Sequence, residues 1–274
     1  MKTMSKSEDL LALLFWGLDL LARPSPHNIL QSFESWNYQN RLRPQLRQLE
    51  RARLLARRGS NSAWTYHLTE QGRAAACGGV DPVQRWRRAW DGKWRLLLFD
   101  LPSRNPQLRA RLWRWLRVER FGYLQNSVWV SPDAVDETCL PLERLKLTPE
   151  SFTIIEGTPV APDSDAKIVT GAWDLAAINR HYQRAIELAA EGRELAGRPQ
   201  ITPVLLRQWL AAERDAWLTA ISFDPLLPGT MLPQGYLGRD AWNQRQAAFI
   251  ALARMRSNEC AKSVTIVTDS AHES

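Results

Sequence analysis

The chain has 274 residues, 45% of them hydrophobic and 24% charged, so it is long enough to bury about two domain cores without metal or disulfide. Three cysteines, Cys77, Cys139 and Cys260, with no CxxC pair, argue against a zinc site or a disulfide framework and fit a reducing cytoplasm. The net charge is +7, and thirty of the 36 basic residues are arginine. Arginine forks bidentately onto phosphate and base edges, so an anionic partner is expected. A GC-rich genome gives the same bias without function, so the distribution of the charge must decide.

The elements in chain order begin with a helix over Glu8 to Ala22, ended by Pro24 and Pro26. A short helix fits Asn28 to Glu34, and a third runs from about Arg43 to Arg53 with Leu42, Leu46 and Leu49 inward. Leu54 to Ala56 and the alternating stretch Trp64 to Leu68 predict a hairpin, with Arg57, Arg58 and Gly59 at its tip. Thr69 is placed to cap a further short helix. Three helices and a basic-tipped hairpin over residues 1–80 describe a winged helix-turn-helix. Asn40, Arg41, Arg43, Gln45, Arg47, Gln48 and Arg51 surround the third helix, and Arg57 and Arg58 follow on the wing. Arg suits guanine O6 and N7; Asn and Gln suit adenine N6 and N7. Between Arg41 and Arg58 there are seven arginines and one acid, Glu50. Such a surface predicts double-stranded DNA as partner.

Residues 81–170 read as an α+β domain of ferredoxin-like type. Trp94 to Leu101 is a buried strand and Gln107 to Glu119 a helix. Gly122 to Val130 is a second strand, Leu140 to Leu145 a short helix, and Ser151 to Glu156 and Ala166 to Thr170 further strands. A second basic zone runs from Arg85 to Arg120, interleaved with Trp86, Trp90, Trp94, Trp113 and Trp115. It fits either a phosphate-contacting surface or a solvated face with Trp anchors. Residues 171–256 are predicted helical, over Trp173 to Glu191, Pro203 to Ile221 and Gly238 to Arg256, and 257–274 a flexible tail. No stretch approaches a membrane span, and the first nine residues lack the apolar core of a secretion signal. His67 and His181 read as solvated or structural, and Asp224 before Pro225 as a turn residue. No GxSxG, HExxH or P-loop occurs, so neither an enzyme nor a cofactor is expected.

Three stretches carry a resemblance. They are RQLERARLL with WTYHLTEQGR; KWRLLLFDLP, LRARLWRWL and FGYLQNSVWVSP; and WDL followed by FDPLLPGTMLP. Together they resemble the PaaX-like family, repressors of phenylacetic acid degradation operons. The resemblance implies a cytoplasmic bacterial regulator, usually a homodimer, that binds operator DNA and is released by an aryl-acyl-CoA such as phenylacetyl-CoA. The sequence itself names no effector site. The central segment also resembles the small ferredoxin-like nuclease subunits of CRISPR adaptation, which carry an Asp where Asp100 stands. The alternative function is therefore a Mg²⁺-dependent nuclease, with Asp100 as metal ligand in place of a turn-capping carboxylate.

Overall fold

The computed structural model describes residues 46–58, 65–99, 106–135, 152–199 and 201–252. It is a mixed α/β structure with two antiparallel sheets. The described residues fall into two compact units. One is drawn from Met1–Asp81, Tyr182–Leu218 and Gly238–Ser274, the other from Pro82–His181 and Thr219–Leu237. The predicted helices over Glu8 to Ala22, Asn28 to Glu34 and Leu140 to Leu145 lie outside the described residues.

In the first unit, residues 46–51 form helix α1, followed by strands β1 (Leu55–Arg58) and β2 (Thr65–Leu68) and helix α2 (Glu70–Ala76). The strands pair antiparallel, Leu55 opposite Leu68 and Arg58 opposite Thr65. Leu49, Leu55 and Ala76 form a small buried core, with Leu46, Leu54 and Leu68 against it. Thr69 joins the pieces. Its hydroxyl accepts from Gly72 N at 2.9 Å, capping α2, and donates to Arg53 O at 2.6 Å. Gly72 is required here, since a Cβ would stand 2.0 Å from Leu54 O.

The same unit contains residues 182–196 of helix α6 (Leu175–Ala196), residues 203–218 of helix α7 (Pro203–Phe223) and helix α8 over 238–252. Tyr182, Leu188, Trp209, Trp217, Ala248 and Phe249 fill their interior. Within it Arg245 and Glu213, each 1% exposed, form a bidentate ion pair, and the guanidinium lies 4.7 Å from the Trp217 ring centre. Removing one partner of such a pair costs about 3–5 kcal/mol, because the other charge is left uncompensated.

The second unit is built on a four-stranded antiparallel sheet. It holds helix α3 (Pro82–Arg87), strand β3 (Trp94–Phe99), helix α4 (Pro106–Val118), strands β4 (Gly122–Gln125), β5 (Val128–Ser131) and β6 (Phe152–Gly157), and helix α5 (Asp165–Ala172). The strand order is β4-β5-β3-β6, the ferredoxin-like arrangement. The interior strand β3 is buried on both sides. Leu97, Phe99 and Trp129 meet Leu112 and Leu116 of α4, while Trp94 and Val130 meet Val169 and Ala172 of α5. Trp94 Nε1 donates to Asp165 Oδ1 at 2.8 Å, so the buried indole has an acceptor.

Two sequence expectations change. Gly122 to Val130 is a hairpin of two strands, turned at Asn126, whose φ of 47° Asn tolerates well. Ala166 to Thr170 is helical instead of extended. Ser164 caps the helix by accepting from Lys167 N, Asp165 stands in its first turn, and Val169 and Ala172 bury one face. Capping and burial outweigh the β-branched run Ile168-Val169-Thr170.

Arg53 and Arg120 occupy matching positions. Each follows a helix at positive φ, 57° and 67°. Leu54 N returns to Leu49 O and Phe121 N to Leu116 O, both at 2.9 Å, which makes two Schellman caps. Glycine is the usual residue there. The Arg120 guanidinium, however, donates to Ile221 O at 2.8 Å and to Asp224 O. Arg53 is exposed. Arg53→Gly is therefore expected to raise stability by about 0.5–1 kcal/mol, and Arg120→Gly to lower it by about 1–2 kcal/mol, as read from urea unfolding midpoints.

Arg95 gives a second prediction. Only 5% exposed, it donates to both Asp91 oxygens and, through Nε at 2.9 Å, to Glu156. Hydrogen bonding from Arg95 holds the Asp91 carboxyl down to about 2 and lowers that of Glu156. A depressed carboxylate stabilises the fold above its unfolded value and loses that contribution as pH falls through the folded one. The stability gap between wild type and Arg95→Met is expected to hold above pH ~4 and to narrow toward pH ~2 in thermal melts.

Candidate nucleic-acid interface

Helix α1 sorts its residues by face. Leu49 is 4% exposed, packed on Leu55 and Ala76, while Arg47, Gln48 and Arg51 are exposed. Spacings of one, three and four residues put those three on one side. The structure therefore brings Arg47, Gln48 and Arg51 together as a solvent-facing cationic and amide surface. Asn40, Arg41, Arg43 and Gln45 lie outside the described residues.

The hairpin arginines are placed differently from the sequence expectation. Arg57 and Arg58 are the last two residues of β1, not part of the tip. Arg57 is bound to Glu50 through two parallel contacts, Nε to Oε1 at 2.9 Å and Nη2 to Oε2 at 3.0 Å. The lone acid of this segment is thereby spent on joining strand to helix. The pair is exposed and worth at most about 1 kcal/mol. Its larger effect is electrostatic: Glu50 answers Arg57 and leaves the Arg47 and Arg51 charges uncompensated by that acid. Arg58 pairs in register with Thr65. His67 is exposed.

The second basic zone separates into two populations. Arg85 and Arg88 both donate to Asp133, at 2.5 Å and 2.6 Å, and Arg88 also reaches Leu226 O. Arg120 holds the 221 and 224 carbonyls, and Arg95 holds Asp91 and Glu156. These guanidinium groups are structural. Arg111, Arg114 and Arg117, on the outer side of α4, are exposed. The sequence reading did not separate the two groups. The available signal was the absence of any acid from Pro106 to Val118.

Trp113 packs on Trp129 and Tyr123, and Trp115 on Phe121, so both flank the core. His181 stacks on Phe223 with ring centres 4.4 Å apart. Asp224, 1% exposed, accepts from Leu226 N at 2.7 Å and from the Tyr236 hydroxyl, so it is a turn residue that also anchors. Asp100 lies outside the described residues. Asp133 is engaged by Arg85 and Arg88. Among the described residues, no helix is long and apolar enough to cross a membrane.

Strand order and helix placement make the sheet unit comparable with known families. Residues 87–169 match the PaaX protein central Cas2-like domain. The PaaX resemblance read from the sequence is thus shown in this segment, which contains the whole four-stranded sheet and α4. Among solved structures, uncharacterized protein Rv0674 from Mycobacterium tuberculosis is similar in fold. The TM-score is 0.52 at 23% identity, over 90% of this chain and 96% of that one. No curated protein matches the chain.

Glu50→Gln tests the electrostatics of the α1 surface. It removes the acid and releases Arg57. Stability is expected to fall by less than about 1 kcal/mol. Affinity for duplex DNA at low salt is expected to rise, with a log–log salt slope steeper by up to about 0.9 per protomer in a fluorescence-anisotropy titration.

Proposed function

We propose that the chain is a PaaX-type transcriptional regulator, a homodimeric cytoplasmic repressor that binds operator DNA through an N-terminal winged helix-turn-helix. The observation that carries this reading is the grouping of Arg47, Gln48 and Arg51 on the open side of α1, braced from behind by Leu49, the β1–β2 hairpin and α2. In this reading Arg47, Gln48 and Arg51, with Asn40, Arg41, Arg43 and Gln45 before them, face base edges in the major groove. The hairpin with Arg57 and Arg58 follows the backbone. The similarity of residues 87–169 to the PaaX central domain supports the regulator class. The central sheet unit is assigned to dimerisation and the C-terminal helices to effector response.

An aryl-acyl-CoA such as phenylacetyl-CoA is the effector that the resemblance implies. It can act only by binding the DNA-free conformation more tightly than the DNA-bound one. No catalytic step is assigned.

The test is duplex binding across a salt series. A dimer neutralising about four phosphates per protomer is expected to give a log–log slope near −7. Arg47→Ala is expected to weaken binding to an operator selected from genomic fragments more than binding to mixed-sequence duplex, by about 1–3 kcal/mol. Equal losses on both would make Arg47 a phosphate contact only. A flat salt response would remove DNA as the partner.

A further inference from the structure

The exposed residues of helix α4 are Pro106, Gln107, Ala110, Arg111, Arg114, Arg117 and Val118. The opposite side, Leu112 and Leu116, is buried on the sheet. Arg111, Arg114 and Arg117 recur every third residue, so they stand about 4.5 Å apart along the axis and span about 9 Å. Among the described residues, none forms a hydrogen bond or ion pair with any of the three. Other arginines of the same unit, Arg85, Arg88, Arg95 and Arg120, each hold a carboxylate or a backbone carbonyl.

This row is unfavourable for the helix that carries it. Like charges three residues apart repel by a few tenths of a kcal/mol per pair. The first turn has no acid to complement the helix dipole. Glutamate or glutamine at any of these exposed positions would serve the helix as well or better. A local cost with no intramolecular return is the mark of a surface shaped for a partner.

We propose that this face of α4 is a second duplex-DNA contact, in which Arg111, Arg114 and Arg117 grip successive backbone phosphates. The proposal deepens the DNA-binding reading above. About 9 Å of duplex axis displays two to three phosphates per strand, which matches the three guanidinium groups in number. The contact is assigned to duplex instead of single strand because the ring bordering the row, Trp113 beside Arg114 and Arg117, is held by Tyr123 and Trp129 and so is not free to stack on a base, while Trp115 packs on Phe121. It reads charge and carries no sequence information.

The experiment uses the full chain and a mixed-sequence duplex, with affinity measured from low to moderate salt. The triple variant Arg111→Gln, Arg114→Gln, Arg117→Gln is expected to lose about 2.7 from the log–log slope per bound protomer, since each contact contributes about 0.9. Binding at about 0.1 M salt should weaken at least tenfold. The corresponding triple Lys variant keeps the charge and is expected to keep the slope. Replacing the exposed Arg180, Arg198 and Arg239 by Gln removes equal charge elsewhere and is expected to leave the slope unchanged.

An unaltered slope in the triple Gln variant overturns the proposal. So does an equal loss in the Arg180/Arg198/Arg239 control, or in the Lys variant. Operator preference separates this from the α1 reading. If preference survives while the α4 slope change is absent, only the α4 contact fails. If wild type shows no preference yet the triple variant loses slope, only the α1 reading fails. Absence of duplex binding at low salt ends both.

Discussion

Arginine cannot shed its proton inside a protein, so every guanidinium must find acceptors or remain in water. With thirty of them in the chain, that requirement organises the structure. Where a guanidinium is drawn inward it becomes a fastening. Arg88 reaches from the start of the sheet unit to both Asp133 and Leu226 O, and Arg120 reaches the 221 and 224 carbonyls. These ties join residues 219–237 to a sheet from which they are about a hundred positions removed in sequence. Asp224 and Tyr236, with Trp86 donating to the Tyr236 hydroxyl at 3.0 Å, continue the same network. Arg47 and Arg51 on α1 and Arg111, Arg114 and Arg117 on α4 are among the exposed guanidinium groups outside this network.

The regular elements were largely legible. β3, α4, β6, α6 and α7 fall close to their predicted spans because each carries an unbroken apolar run or a clear helical period. α5 was not. Its Ile168-Val169-Thr170 core has strand propensity, and only Ser164 ahead of it and the sheet beside it turn that run into a helix. The hairpin at Asn126 was signalled by Gln125-Asn126-Ser127, a polar break between Tyr123-Leu124 and Val128-Trp129-Val130 that the single-strand reading ran through.

The candidate surface was legible in part. The exposed side of α1 follows from the Leu46-Leu49 spacing, which a sequence displays directly. The fate of each arginine does not, since its acceptor lies at a distance fixed by the fold. Arg57 finds Glu50 because strand β1 returns alongside α1. Arg88 finds Asp133 45 positions away, because β5 lies next to β3. Composition reports how many cations exist; topology decides which of them stay unengaged.

Thr69 holds the Arg53 cap that closes α1 and starts α2 with the same hydroxyl, and Gly72 lets the Leu54 carbonyl approach closely. Tilting α1 would therefore unseat α2 and shift the hairpin with it. Arg47, Gln48 and Arg51 are mounted on a block that moves whole. For the proposed DNA contact, selectivity on such a block would come from fixed spacing, as in a printer's stamp, and the gain or loss of a target would depend on repositioning the entire stamp.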